Sequence, residues 1–416
     1  MTTPSSLAAL PRTLLISGTP PDPSGVGGII LADLCPLFPV GHLSVFLPVA
    51  AGQEPEIPEA VRARMTLHLA LVQPAANLPA LARLGRPGRG AHAALRGWQR
   101  RTSHRRLIES AVAFGLAQGV QRVWGVLDAP VSIALARPVA EALGVPLVTT
   151  VWDDIDHNTR YFQLDPLAAK QMRREFALAL RSSRCCAVIG ESMQSAYQRD
   201  YGVRGIVVRH GLPAELRYPA KPVIGGSDVI RIGFAGSVTA RTAFETLLQA
   251  LDGINWRLGD KPIELRLMGL RFDLWSRVSR RIECLGWRSV PETVRLLSEC
   301  QINYLPQPFE ADWAPFTRLS FPSKLTTYLG AGAPLLLHTP PEGSLHRFFS
   351  EYPFGVRCDT LEPDKLVEAL HSLVDDPARY RQASATLTRT LDEAFTAERF
   401  HADFLRVLNC GTQVTG

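Results

Sequence analysis

The chain has 416 residues, of which 46% are hydrophobic and 20% charged, and its 45 Lys+Arg against 39 Asp+Glu leave a formal net charge of +6. At about 150 residues per domain this is enough for two or three domains with cores of their own, which excludes intrinsic disorder and a small disulfide-stapled scaffold. No apolar run approaches the ~20 residues that span a bilayer, and the N-terminus lacks the basic and apolar regions of a signal peptide, so a soluble, cytoplasmic protein is expected.

Taken in chain order, short aliphatic or β-branched runs predict strands at Thr13–Ser17, His42–Leu47, Leu67–Val72, Arg122–Leu127, Pro146–Val151, Cys185–Ile189 and Gly205–Val208. Helical periodicity lies between them, as in Val131–Leu143 and Asp165–Ser182, and this alternation reads as βαβ units of a parallel sheet. The stretch Tyr218 to Ser227, with two prolines and Gly225-Gly226, has linker composition. The same grammar then restarts. Strands are predicted at Ile230–Ala235, Ile263–Met268, Ile282–Leu285, Ile302–Leu305 and Pro334–His338, with helices at Thr242–Leu251, Pro291–Cys300, Ser323–Ala331 and Asp364–Val374. The fold class is therefore α/β, two doubly wound Rossmann-like domains split near residues 212 to 228. Ligands of open α/β sheets lie outside the carboxyl ends of the strands, so motifs at strand ends carry the functional reading.

Four such motifs stand out. Ser24-Gly25-Val26-Gly27-Gly28-Ile29 opens a helix after the first strand, and glycines there let backbone approach a phosphate. It fails as a dinucleotide fingerprint, because Ile30 replaces the third glycine and Thr19 to Pro23 lengthens the turn. Val151-Trp152-Asp153-Asp154-Ile155-Asp156-His157 places adjacent carboxylates at a strand end, where Asp153 or Asp154 can orient hydroxyls, serve as a base or simply cap the next helix. A metal at these aspartates lacks the glycine and distal glutamate of an EF-hand loop. In the second domain, Gly236 and Ser237 end a strand and Arg241 follows, within reach of an anion.

The fourth and most specific motif is Ser320-Phe321-Pro322-Ser323-Lys324-Leu325-Thr326-Thr327-Tyr328-Leu329-Gly330-Ala331-Gly332-Ala333-Pro334. A helix N-terminus with a lysine one residue in brings free N–H groups, the helix dipole and an ammonium to one anion. Lys324 is one of only five lysines, beside Lys170, Lys221, Lys261 and Lys365, in a chain whose other positive residues are arginine. Eight of those arginines (83, 86, 89, 96, 100, 101, 105, 106) fall between Arg83 and Arg106 with no acidic residue and with Trp98 among them. That stretch reads as a face for anionic lipid, as a nucleic-acid patch or as a solvated helix. The seven cysteines are odd in number and form no C-x-x-C, which points to reduced thiols used as small hydrophobes.

Through these residues the whole chain resembles a bacterial GT-B glycosyltransferase, similar to the family-four retaining enzymes of polysaccharide and glycolipid assembly. Gly27-Gly28 matches that family's loop under the donor diphosphate, and Trp152-Asp153-Asp154 the strand end beside the donor sugar. Glu191-Ser192, Tyr201-Gly202-Val203 and His210-Gly211-Leu212 resemble the approach to its linker. Phe321 to Pro334 resembles its phosphate-binding helix, and Asp375-Asp376-Pro377 with the helix around Phe400 its tail. The family's ribose-binding glutamate falls at Thr327, its paired upstream acid falls at Leu319 or is lost in the insertion from Phe309 to Thr317, and its basic pair is reduced to Arg241.

The resemblance implies an acceptor-side domain at 1–217, a nucleotide-sugar domain at 228–395 and a terminal helix at 396–416 that packs back on the first. It implies transfer of a sugar from a nucleotide-diphosphate donor to a saccharide or lipid-linked acceptor, with no metal or other cofactor. Lys324, Asp153 and Asp154 would be catalytic, and Gly27, Gly28, Gly236, Ser237, Arg241, Ser320, Ser323 and Thr327 would bind the donor. Peripheral membrane contact through Arg83 to Arg106 is expected, and nucleic acid is not. A non-catalytic scaffold of the same fold and a nucleotide-sugar epimerase are the alternatives.

Overall fold

The structure, a computed structural model, describes residues 10–23, 25–72, 85–224, 228–236, 239–269 and 281–410. The chain forms two compact units, one made of residues 1–208 and 401–416, the other of 209–400.

In the first unit, β1 (Thr13–Ile16), β2 (Leu43–Ala50), β3 (Met65–Val72), β4 (Arg122–Val126), β5 (Leu147–Thr150), β6 (Ser183–Val188) and β7 (Gly205–Val207) form one sheet in the order β3-β2-β1-β4-β5-β6-β7. Every neighbouring pair is parallel. Parallel neighbours need long crossovers, supplied here mainly by helices. These are α1 (Val26–Leu34), α2 (Glu59–Arg62), α3 (Gly85–Ala117), α4 (Pro130–Leu143), α5 (Ile155–Tyr161), α6 (Pro166–Ser182) and α7 (Glu191–Tyr201). Strands β1, β4 and β5 are buried along their whole length, the reason they show no polar–apolar alternation even though Arg122, Thr149 and Thr150 lie in them. Local signals set the helix ends. Pro130 starts α4 and Gly144 closes it at φ +66°, and Asp165 caps α6 by accepting the Ala168 N–H at 2.9 Å.

In the second unit, β8 (Ile230–Ala235), β9 (Arg257–Leu258), β10 (Lys261–Met268), β11 (Ile282–Gly286), β12 (Ile302–Pro306), β13 (Leu335–His338) and β14 (Gly355–Cys358) take the order β11-β10-β8-β12-β13-β14, with β9 antiparallel on β10. The helices are α8 (Arg241–Gly253), α9 (Val290–Ser298), α10 (Ala314–Leu319), α11 (Leu325–Gly330), α12 (Ser344–Glu351), α13 (Pro363–Val374) and α14 (Pro377–Ala394). Ile232, Phe234, Leu265, Tyr304, Leu336 and Leu366 anchor its core. Tyr218 and Lys221, in the stretch of linker composition, donate their N–H groups to Gly330 O at 2.8 Å and Gly332 O at 2.9 Å. The last helix, α15 (Ala397–Leu408), belongs to the first unit from His401 on, where the Phe404 and Trp124 ring centroids lie 4.6 Å apart.

Strand order reverses between β1 and β4 in one sheet and between β8 and β12 in the other. At such a switch point the two following chains leave toward opposite faces and open a crevice at the strands' carboxyl ends. Two strands were not foreseen from the sequence. β9 has two residues, and β14, Gly355-Val-Arg-Cys, is too short and mixed to stand out. The helix expected at Ser323 begins at Leu325, because the Leu325 N–H closes a turn on Pro322 O at 3.0 Å and leaves Lys324 just outside. Among the described residues no helix is long and apolar enough to cross a membrane.

Candidate functional site

In the second unit the switch point gathers the strand-end glycine and the lysine. Gly236 follows β8 at φ +105°, a backbone region that suits only glycine, and a Cβ there would lie 3.6 Å from both Cδ and Nζ of Lys324. Gly269, after β10, has φ +131°, and a Cβ on it would lie 2.5 Å from Gly236 O. The two glycines thus let the ends of β8 and β10 close on each other. One turn along from Lys324, the Tyr328 hydroxyl accepts the Ala235 N–H at 2.6 Å and donates to Ala235 O at 3.1 Å, fixing α11 against the end of β8.

The Lys324 ammonium sits 5.1 Å from the Phe234 ring centroid and meets no carboxylate or hydrogen-bond acceptor among the described residues. Burial pushes its pKa down to about 8. A half-buried cation without an anion is costly, and such groups cluster where a ligand supplies the missing charge.

Glu310, which the sequence reading passed over, stands near the same switch point, in the loop after β12. Its Oε1 accepts from the Thr242 N–H at 3.3 Å and from the Thr242 hydroxyl at 2.5 Å, at the start of α8. Its Oε2 is buried with no partner. Burial works to raise this carboxyl's pKa, but the Thr242 hydroxyl and nearby N–H groups outweigh it and hold it below the usual range. An acid therefore does remain inside the stretch from Phe309 to Thr317. The signal that would have found it is its place four residues past Pro306, the last residue of β12.

The remaining nominated residues of this unit are less uniform. Ser320 is buried, its carbonyl accepts from the Ser344 hydroxyl at 2.6 Å and its own hydroxyl has no partner. Ser323 is exposed and Thr327 half-buried on α11. Arg241 is the first residue of α8 and is turned along its own helix, with Nε 2.8 Å from Glu245 and the side chain 84% exposed. Ser237 lies outside the described residues.

In the first unit the structure brings two motifs together. A Cβ on Gly27 would meet Cζ3 of Trp152 at 2.6 Å, so the glycine admits the indole that precedes Asp153. A Cβ on Gly28 would come within 2.3 Å of Asp22 O and 2.9 Å of Pro20 O, so this glycine lets α1 press on the loop before it. Asp154 is buried and caps α5, its Oδ2 accepting the Asp156 N–H at 2.9 Å. Burial raises its pKa, partly offset by that hydrogen bond. Asp156 is 2.6 Å from Arg173 Nε. Of the three aspartates, one is thus engaged as a helix cap and one in an ion pair, while Asp153 stands half-buried between Trp152 and the cap.

A second carboxylate the sequence did not disclose is Asp128, after β4. Its Oδ1 accepts the Gly18 N–H at 3.0 Å and the Ser132 hydroxyl at 2.8 Å, tying the loop after β1 to the start of α4 at the switch point. Of the arginine stretch, Arg96, Arg100, Arg101, Arg105 and Arg106 are described on α3, the backbone alone is described at Arg86 and Arg89, and Arg83 lies outside the described residues. Among the described residues no group of three His, Cys, Asp or Glu side chains has the arrangement to hold a metal ion.

No protein-family model matches the sequence, and no curated protein matches it. Solved structures do. HepE from Anabaena, in complex with UDP and glucose, is 13% identical with a TM-score of 0.61 over 96% of this chain and 99% of its own. Sucrose-phosphate synthase from Thermosynechococcus elongatus is 13% identical with a TM-score of 0.64 over 95% of this chain and 98% of its own. The α,α-trehalose 6-phosphate synthase of Burkholderia multivorans is 12% identical with a TM-score of 0.62 over 96% and 98%. Two parallel doubly wound sheets in this sequence order, matched over nearly the full length of each neighbour, give the chain the GT-B glycosyltransferase fold.

Proposed function

We propose that this protein is a retaining glycosyltransferase that moves a sugar from a nucleotide-diphosphate donor to a saccharide or lipid-linked acceptor. Its place would be the cytoplasmic side of cell-surface polysaccharide or glycolipid synthesis. The observation that carries this reading is the unpartnered Lys324 ammonium beside Gly236 at the second unit's switch point. HepE, of the same fold, has a structure in complex with UDP-glucose, which supports a nucleotide-sugar donor.

In this reading Lys324 stabilises the charge that develops on the departing diphosphate, and it does so in a half-buried place where a preorganised cation is most effective. Gly236 lets backbone approach the phosphate. Glu310 Oε2, with no partner of its own, accepts from a donor hydroxyl, and Thr327 takes the ribose through a hydroxyl where relatives use a carboxylate. The departing diphosphate accepts the proton of the incoming acceptor hydroxyl, so no protein base is required. Asp153 orients a substrate hydroxyl at the first unit's own strand end, with Asp154 holding the helix that follows. The scheme calls for no metal, since Lys324 supplies the positive charge.

A thermal-shift screen over nucleoside diphosphates and nucleotide sugars tests this directly, because a ligand that binds only the folded state raises the melting temperature with its concentration. Stabilisation by one nucleoside diphosphate, lost in Lys324→Ala, is expected. A flat response to every diphosphate would overturn the transferase in favour of a non-catalytic scaffold, the alternative that Thr327 and the self-paired Arg241 would then explain.

A further inference from the structure

The first unit holds a cavity that the transfer chemistry does not use. It lies among α3, α4 and α6 with a volume of about 220 Å³, walled by Val72, Val131, Ala134, Leu164, Ala168 and Met172. At ~30 Å³ per water in the liquid it would hold about seven waters, yet this wall offers them few partners. Its position is at the carboxyl end of the sheet, since Val72 ends β3, Val131 follows β4 by way of α4's first turn, and Leu164 lies beyond β5.

One side of the cavity is polar and holds an arginine. Arg100 lines it with a buried Nε–H that has no acceptor, while its NH2 reaches Asp165 at 3.4 Å. His104 lines it too, and burial first, then the Arg100 charge, push its pKa below the ordinary imidazole value. The lining carboxylate Glu175 is 3.7 Å from Arg137, an arginine it shares with Glu141 at 2.6 Å. Along α3, Arg96, Arg101, Arg105 and Arg106 lie near these lining residues in sequence, Arg105 being paired with Glu109 at 2.9 Å, and no acidic residue lies between Arg83 and Arg106. Trp98 and Leu167, sequence neighbours of the lining residues Gln99 and Ala168, are 64% and 63% exposed.

We propose that this cavity takes the apolar chain of an anionic amphiphile, with Arg100 donating its free Nε–H to the head group. Apolar walls select the chain, and the buried unsatisfied donor selects an anion at one end of it. Where the protein acts as a transferase, this deepens that reading by naming a lipid phosphate as the acceptor class. The binding itself needs no donor and no turnover.

Isothermal titration of the full chain with dodecyl phosphate below its micelle concentration tests the assignment, with inorganic phosphate and dodecyl maltoside as comparison ligands. Dodecyl phosphate should bind at least tenfold more tightly than either, with the negative heat capacity change of apolar burial. Ala134→Phe, which fills the cavity, should lower that affinity at least tenfold, and Leu164→Trp, a second block from a loop, should do the same. Arg100→Gln should remove the preference over dodecyl maltoside while the chain still binds. Equal binding of dodecyl phosphate and inorganic phosphate, or unchanged binding in both blocked variants with melting transitions like the parent's, would overturn the proposal. Loss of this binding with nucleotide stabilisation intact leaves the donor reading standing, and the reverse result separates them the other way.

Discussion

The two units open alike, with a strand, a glycine-bearing turn and a helix, yet their glycines answer to different physical demands. In the first unit Gly27 and Gly28 are required by packing, since any Cβ would strike Trp152 or the backbone of Asp22. In the second unit Gly236 is required by its backbone angle of +105° and stands in open contact with Lys324. The charged residues divide the same way. Asp154 is engaged in capping a helix, whereas Lys324, over the Phe234 ring, meets no carboxylate or hydrogen-bond acceptor among the described residues. The same local grammar therefore serves architecture in one place and ligand chemistry in the other, and what separates them is whether the polar groups are already satisfied.

Four experiments break or sharpen that contrast. The largest effect is expected from Lys324→Ala, which should lower turnover of the preferred nucleotide sugar about 100-fold or more, the cost typical of losing one preorganised stabilising group. Product formation followed by mass spectrometry over a donor panel, with an intact melting transition, checks it, and undiminished turnover would falsify the site. Gly28→Ala comes next, as a purely structural lesion. Overpacking of this kind costs about 1–3 kcal/mol and more where the obstacle is backbone, so a clear loss of melting temperature is expected, while the same change at Gly236 should leave stability less affected and weaken diphosphate binding more.

The third experiment uses pH. The folded state holds Lys324 at about 8 against an ordinary 10.5, so the unfolded chain binds this proton more tightly. The group's effect on stability therefore becomes more favourable as pH rises from about 8 toward 10.5, and affinity for a nucleoside diphosphate should fall over the same window as the ammonium is lost. Calorimetric titration from neutral to alkaline pH reads the inflection, and Lys324→Arg, charged throughout, should abolish it. The smallest effect is expected from Arg241→Ala. Its exposed pair with Glu245 contributes little, so a change in KM beyond about threefold would show that the arginine swings to the donor after all.

Much of this was legible in the sequence, and for identifiable reasons. Strands buried on both faces, such as β1, β4 and β5, leave short aliphatic or β-branched runs without alternation, and Pro130, Gly144 and Asp165 mark helix ends by local chemistry. Lys324 stood out through its rarity and its place after Pro322. Glu310 and Asp128 did not stand out, because each is a single acid in a loop whose meaning lies in a partner far along the chain: Thr242, 68 residues away, and Gly18, 110 residues away. Tyr328 escaped notice likewise, since its hydroxyl works on Ala235, 93 residues earlier.

The sequence by itself determined the alternation of strands and helices, the restart of the pattern after residue 228 and the residues worth mutating, because periodicity, caps and turn glycines act within a few residues. Only the tertiary structure decided which charges were free to act. Whether an aspartate caps a helix, a carboxylate keeps one oxygen unsatisfied or an ammonium is left half-buried without an anion depends on groups that folding brings together, and on the desolvation that only burial imposes.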